Sequence, residues 1–287
     1  MYISIYQLLN INLTFERRFV LLEKENMSRI FITGAADGLG QMAAKLLIAD
    51  GHKVVLHARN DGRAAEALSA APGAETAISG DLSSIKETVQ LAEKVNKLGH
   101  FDAVIHNAGI GYREVNRGNT VDGLSPLFAV NSLAPYILTS LIHLPQRLIY
   151  LSSGLHREGN PSMDDLSWDN KRWSGYQAYA DTKLHNVLLA FATARYQPKV
   201  YANALEPGWV ATKMGGAGAP DSLTDAPKTQ VWLAVSSSAQ ALVSGQYFYH
   251  QKLKAFHPAA GDHHVQDEFL AACKRLTGIT FPIANHS

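Results

Sequence analysis

Tyr179 and Lys183 stand four residues apart, a spacing that puts both side chains on one face of a helix. A phenol at its ordinary pKa of about 10 is a poor acid-base group at neutral pH. A cation about 4 Å away, at an effective dielectric near 20, stabilises the phenolate by roughly 4 kcal/mol, or about 3 pKa units. A pair so placed can exchange a proton near pH 7. The same spacing also arises when an interfacial tyrosine and a solvated lysine share an amphipathic helix, so the surrounding chain must decide.

Upstream, Thr33-Gly34-Ala35-Ala36-Asp37-Gly38-Leu39-Gly40 lies between an apolar run and a helical pattern. Gly34 permits a tight turn, Gly38 lets a pyrophosphate approach the backbone, and Gly40 lets the helix pack closely on a sheet. The N–H groups opening that helix suit phosphates, so the loop points to a nucleotide cofactor and, with the tyrosine, to redox chemistry. The cofactor's ribose is read at His57-Ala58-Arg59-Asn60, about 20 residues beyond the loop, where an NAD site would carry an acid. Ala58 stands there instead, and the Arg59 guanidinium suits a 2′-phosphate, favouring NADP(H) with NAD as the alternative. A solvated loop arginine is the other reading of Arg59. Asp37 opposes phosphate binding by its charge.

Several elements must position these groups. Ile30 to Thr33, Val54 to Ala58, Thr76 to Ser79, Ala103 to His106, Leu148 to Ser152 and Val200 to Leu205 read as strands covered on both faces. Helices are expected over Gln41 to Ala49, Ile85 to Lys97, Leu127 to Leu141, Ala180 to Tyr196 and Gln230 to Ser236, with a last strand at Gly245 to Tyr249 and a final helix around Asp267 to Leu276. The alternation predicts an α/β fold, a doubly wound parallel sheet with helices on both faces. No linker or repeat interrupts residues 27–287, which read as a single domain.

The 287 residues carry a net charge of +1 with no basic block, giving no support for nucleic-acid or membrane-surface binding. Cys273 stands alone, so no intramolecular disulfide can form, which fits a reducing cytoplasm. No metal is expected, since the adjacent His263 and His264 would point apart in extended structure. Residues 1–26 are too broken by Glu16, Arg17 and Arg18 for a spanning helix and lack a signal-peptide pattern. They read as an extension, non-native or disordered, with Met27 the natural start. An appended amphipathic helix is the competing reading.

Taken in order, these residues resemble a classical short-chain dehydrogenase/reductase across essentially all of residues 28 to 250. The glycine spacing Gly-x-x-x-Gly-x-Gly has that family's form. Asp81-Leu82, His106-Asn107-Ala108-Gly109, Asn131, Ser152-Ser153, Tyr179, Lys183, Pro207-Gly208 and Thr212 follow in sequence. The resemblance implies a Rossmann fold and hydride transfer between a nicotinamide and a carbonyl or alcohol. Tyr179 would then be the acid-base group and Ser153 would polarise the substrate carbonyl. Lys183 would lower the tyrosine's pKa and bind the nicotinamide ribose, and Asn131 would support a water-linked proton path. Gly34, Asp37, Gly38, Leu39, Gly40, Arg59, Asp81, Leu82, Asn107, Ala108, Gly109, Pro207, Gly208, Val210 and Thr212 would line the cofactor, together with Tyr179 and Lys183. The family pattern places the serine role on Ser153, leaving Ser152 as a strand-end residue satisfied by backbone. Asp81 would sit near the adenine, with a loop-capping aspartate as the alternative. Asn107 would fix the fourth strand beside the cofactor, and His106 reads as a buried, satisfied core residue.

Substrate loops are expected at 154–178, where His156, Trp168, Trp173 and Tyr176 would wall the pocket, and at 208–228, which would close over it. The aromatics suggest an apolar substrate, and surface packing explains them nearly as well. The Ser-Ser-x-x-His and Tyr-x-x-x-Lys-Leu stretches are similar to retinol-dehydrogenase-like members. Oligomers in the family commonly form through the helices carrying Asn131 and Tyr179, and some members are monomers. A Ser-His-Asp hydrolase would need a Gly-x-Ser-x-Gly elbow, and a sugar-nucleotide epimerase would need a different glycine loop and a larger C-terminal part; neither pattern is present. The competitor from another class is a non-catalytic NADP(H)-binding sensor or scaffold, although such relatives usually lose the tyrosine or the lysine.

Overall fold

The computed structural model describes residues 27–284, and the extension expected at 1–26 lies outside them. Eight strands form one sheet in the order β3-β2-β1-β4-β5-β6-β7-β8. They are β1 (Arg29–Ile32), β2 (Lys53–Ala58), β3 (Thr76–Ser79), β4 (Ala103–His106), β5 (Arg147–Leu151), β6 (Tyr201–Glu206), β7 (Tyr247–Tyr249) and β8 (Lys252–Leu253). All neighbours are parallel except β7 and β8. The order reverses between β1 and β4, which opens a crevice at their C-terminal ends.

Strands β1 to β7 show alternate residues to two separate cores. Phe31, Val55, Val104, Leu148 and Ala202 face one layer, where α3 (Ile85–Lys97), α6 (Gly175–Tyr196) and α8 (His263–Thr277) bring Leu91, Leu188 and Phe269. Ile30, Ile32, Leu56, Ile105 and Leu205 face the other, against Ala43, Ala44 and Leu47 of α1 (Gly38–Ala49) and Leu233 of α7 (Lys228–Val235). Two-sided burial is why the strands are continuous apolar runs. Each buried Leu, Ile or Phe contributes about 1.5–3 kcal/mol.

Three elements depart from the sequence expectation. A helix α2 (Asp61–Ala70) joins β2 to β3, and it buries only Ala64 and Ala67, too small a stripe to give a strong helical period. The expected helix over 127–141 is α4 (Pro126–Phe128), a π-turn at Ala129–Leu133 and α5 (Ala134–Leu141), so an extra residue bulges at Asn131. A two-residue hairpin after β7 turns the chain back as β8. Its turn residues His250 and Gln251 have φ of 47° and 61°, the left-handed region where Asn-Gly is usual. His263 and His264 open α8 rather than lying in extended chain, and His264 pairs with Glu268 one turn on.

α6 is buried continuously from Ala178 to Thr193. The His185 ring stacks on Phe269 of α8 with centroids 4.8 Å apart. One of the two helices through which oligomers in the family commonly form thus packs against this chain's own C-terminal helix.

Four histidines are enclosed. His106 stacks on Tyr150 and meets the Thr139 hydroxyl at 3.2 Å, as a core residue should, although its Nδ1 has no partner. Burial holds His106 and His185 down at about 3 and His57 and His156 at about 4. These rings are neutral in the fold but take protons near pH 6.5 when unfolded, so their stability is fully present above pH 6.5 and lost as pH falls toward 4. Each histidine costs about 1.4 kcal/mol per pH unit across that window. Thermal melts should therefore show a steep drop in Tm between pH 6.5 and 4.5; a flat profile would mean that water reaches the rings. A second expectation concerns the hairpin. Replacing His250→Asn together with Gln251→Gly relieves two left-handed non-glycine residues and should stabilise the chain by about 1 kcal/mol in a denaturant titration.

Candidate active site

The crevice between β1 and β4 is a cleft of about 1020 Å³. Its floor is locked by one cluster of bonds. The Thr33 hydroxyl accepts the N–H groups of Asn107 (3.0 Å) and Ala108 (3.1 Å), and the Asn107 amide donates to the carbonyls of Thr33 (2.9 Å) and Gly34 (3.0 Å). Asn107 thus fixes the end of β4, as expected. Gly34 has φ +65°, and a Cβ there would sit 2.8 Å from Ala108 Cα. A Cβ on Gly40 would strike Asn107 and the Gly34 carbonyl, whereas one on Gly38 would meet nothing within 4 Å. The three glycines therefore do separate jobs: turn, close helix packing and an open approach.

That approach fits a phosphate. The N–H groups of Gly38, Leu39 and Gly40 have no protein acceptor among the described hydrogen bonds, and Asp37, at the N-cap position, makes no cap bond to them. His57, missed as a functional residue in the sequence, supports the loop from below. Its Nδ1 accepts from Gly34 N–H at 3.1 Å and its Nε2–H donates to the Gly80 carbonyl at 2.8 Å, so one buried ring joins β2 to both loops.

At the outer end, Arg59, Asp81 and Leu82 line the cleft. Asp81 also accepts the Ser83 N–H at 2.9 Å, so it caps its own loop. Asp37 lies 2.8 Å from the Arg63 guanidinium and 3.0 Å from the Lys213 ammonium, neither of which the sequence had marked. Burial alone would raise the Asp37 carboxyl, yet Lys213 and Arg63 hold it below the usual carboxylate range. These two cations offset the charge of Asp37. Gly38, Leu39, Ala108, Gly109, Pro207 and Thr212 also face the cleft. Gly40, Gly208 and Val210 do not, and serve instead as backbone: Gly208 has φ +89° against Asp221, and Val210 bridges to Asp221.

Tyr179 and Lys183 do share a face of α6 at the inner end of the cleft. The Ser174 side chain caps this helix by accepting the Gln177 N–H, starting it a turn before Tyr179. Lys183 donates to the Leu151 carbonyl at 3.0 Å and stands over the Tyr179 ring, 5.4 Å from its centroid. Burial pushes Tyr179 up to about 12, partly opposed by a hydrogen bond with Ser153, and pulls Lys183 down to about 8. Desolvation is the leading cause in both.

Ser153 Oγ also accepts the Leu155 N–H at 3.3 Å, while Ser152 donates to the Lys183 carbonyl at 2.7 Å; the second serine is the one turned to Tyr179. Asn131 is fully buried in the π-turn. Its amide accepts the Ile110 N–H at 2.7 Å and donates to the Ile110 carbonyl and the Thr182 hydroxyl, tying the loop after β4 to α6.

The substrate side corrects one expectation. Trp168 and Trp173 pack with Tyr179 and Leu155 in a small apolar cluster, and Trp168 Nε1 donates to the buried Asp181 at 3.2 Å. Facing the cleft are Gly111, Arg113, Glu114, Asn119 and Thr120 from the segment after β4. Opposite them stand Met214 and Leu223 of the 208–228 loop. The Met214 sulfur lies 3.8 Å from the Tyr179 hydroxyl, and Arg113 reaches across to the Gly215 carbonyl at 3.3 Å. His156 is buried rather than pocket-lining, donating to the Ser153 carbonyl at 2.7 Å and accepting the His257 N–H. Beside it the buried Glu206, at the end of β6, pairs with Lys254 just beyond β8. No group of three metal-ligating side chains occurs among the described residues.

Comparison with known proteins agrees with this geometry. The family described as short chain dehydrogenase matches residues 28–152. An uncharacterized oxidoreductase of Emericella nidulans, AN7799, is 47% identical over 261 residues, covering 89% of this chain and 99% of that protein. A putative daunorubicin C-13 ketoreductase of a Streptomyces species, DnrU, is 31% identical and covers 78% of this chain and 83% of its own length. Among solved structures, a putative uncharacterized protein from Mycobacterium Paratuberculosis superposes with a TM-score of 0.77 at 25% identity, over 89% of this chain and 95% of that one. Identity sustained along nearly the whole length of an oxidoreductase, on a sheet wound in this order, places the chain in the short-chain dehydrogenase/reductase family, whose members are oxidoreductases generally dependent on NAD(P).

Proposed function

We propose that the chain transfers hydride between NADP(H) and a small carbonyl or alcohol compound, with Tyr179 exchanging the proton. One observation carries this reading: Tyr179, hydrogen-bonded to Ser153, and Lys183 line the inner end of the same cleft whose outer end presents the open glycine loop. The nicotinamide, when bound, supplies the hydride acceptor or donor. Everything else is the work of side chains. Ser153 takes a backbone N–H on its lone pair, leaving its own proton for a carbonyl oxygen. Lys183 supplies positive charge beside the tyrosine ring and would hold the ribose of a bound nicotinamide nucleotide. Asn131 holds the loop and helix that frame this proton path.

NADP(H) is favoured over NAD because Arg59 and Arg63 flank the adenosine end and Ala58 stands where an acid would grip a free ribose 2′-hydroxyl. A carbonyl or alcohol substrate is supported by the ketoreductase name carried by the Streptomyces relative. Ile110, Val130 and Met214 give it an apolar seat. Residues 27–287 act as one unit, with 208–228 as the loop that covers the site. No described helix is long and apolar enough to cross a membrane, and the single buried Cys273 suits a reducing compartment such as the cytoplasm.

Tyr179→Phe is the direct test. Turnover of an aldehyde and ketone panel with NADPH should fall by about 100-fold or more while the NADPH Kd stays within about twofold. Unchanged turnover would remove Tyr179 from the chemistry. Tight NADPH binding by the unaltered chain with no turnover of any panel member would favour a cofactor-binding sensor.

A further inference from the structure

The outer end of the cleft holds one carboxylate between two cations drawn from distant parts of the chain. Asp37 belongs to the glycine loop, Arg63 to α2, and Lys213 to the loop after β6, yet Arg63 and Lys213 both meet the same oxygen, Asp37 Oδ2. Arg59 adds a further positive charge to this end. Asp37 does not use its side chain to cap α1, and the first N–H groups of that helix are free for an anion. The arrangement leaves excess positive charge beside an anion-seeking helix end.

Lys213 is the unusual member. Its side chain is 87% exposed, and it extends across the cleft to Asp37. An ion pair this exposed contributes little to stability and exchanges partners readily. A phosphate arriving at the glycine loop carries more charge and more acceptor oxygens than Asp37 does.

We infer that Lys213 is a ligand for a phosphate of the bound dinucleotide, held ready by Asp37, and that its move from carboxylate to phosphate draws the loop after β6 onto the cofactor. This rests on the cofactor reading given above. The next residue is Met214, whose sulfur lies against the Tyr179 hydroxyl. The step that secures the cofactor therefore also shifts the side chain covering the acid-base group. Loop and glycine turn are 176 residues apart in sequence and act through this one contact.

The test is nucleotide binding by the full chain, followed by fluorescence at about 50 mM and about 300 mM salt, where screening separates charge effects from packing. Lys213→Ala should raise the NADPH Kd about tenfold at low salt and much less at high salt. Lys213→Arg should restore most of the affinity, and the ligand-free Tm should be unaltered in both. Weakening of NADPH alone assigns the contact to the 2′-phosphate, and equal weakening of NADPH and NADH assigns it to the pyrophosphate; either upholds the inference. Unchanged Kd values for both nucleotides in Lys213→Ala would overturn it while leaving the cofactor reading intact. Failure of the unaltered chain to bind either nucleotide would instead overturn the cofactor reading itself.

Discussion

The site depends on how closely β1 and β4 end together. Asn107 spans the gap with a single amide, bonding two successive carbonyls of the glycine loop, while Thr33 returns two bonds to the loop after β4. This contact leaves no room for a Cβ at Gly40, so α1 can lie against the sheet only with glycine there. With α1 fixed, its N-terminus faces the crevice made by the strand reversal, and the position of every phosphate-facing N–H follows. His57 reinforces the same point from the neighbouring strand, with both ring nitrogens committed. The outer half of the cleft is thus a rigid consequence of backbone geometry.

The inner half is electrostatically costly. Tyr179 and Lys183 are both nearly sealed from solvent, and burial disfavours the charged form of each. A structure that only needed stability would place apolar residues there. The retained pair sits beside a second strained feature, Trp168 with φ +60°, whose ring backs the tyrosine and is anchored through Asp181 on the same helix. Strain and desolvation thus gather around one hydroxyl.

Much of this was legible in the sequence because the strong signals are local. The six parallel strands from β1 to β6, the glycine loop and the helix carrying Tyr179 each announce themselves within a dozen residues, by two-sided burial or by turn chemistry. What escaped was either weak or nonlocal. α2 buries two alanines and has almost no period to read. The β7–β8 hairpin turns on His250 and Gln251, which carry none of the usual turn signal. Asp37 looked like an obstacle to phosphate because its partners lie 26 and 176 residues away. The cleft wall was assigned to the tryptophan-rich 154–178 stretch on composition, whereas the fold spends those rings behind Tyr179 and uses the plainer segment after β4. The i, i+4 argument placed Lys183 on the tyrosine's face of the helix and left out the cost of burying both groups.

The pairing of Glu206 with Lys254 sets a limit on how the chain can be recombined with its relatives. Glu206 closes the last long parallel strand and is buried, while its counter-ion arrives only after the hairpin, 48 residues later. A chimera whose crossover falls between them would inherit a carboxylate from one parent and its cation from another. Where the second parent lacks a cation at that place, the buried charge is stranded at a cost of about 3–5 kcal/mol. Strand β6 and the segment beyond β8 therefore form one heritable unit, and the natural seam for exchanging the C-terminal part lies upstream of Tyr201 rather than at the end of the parallel sheet.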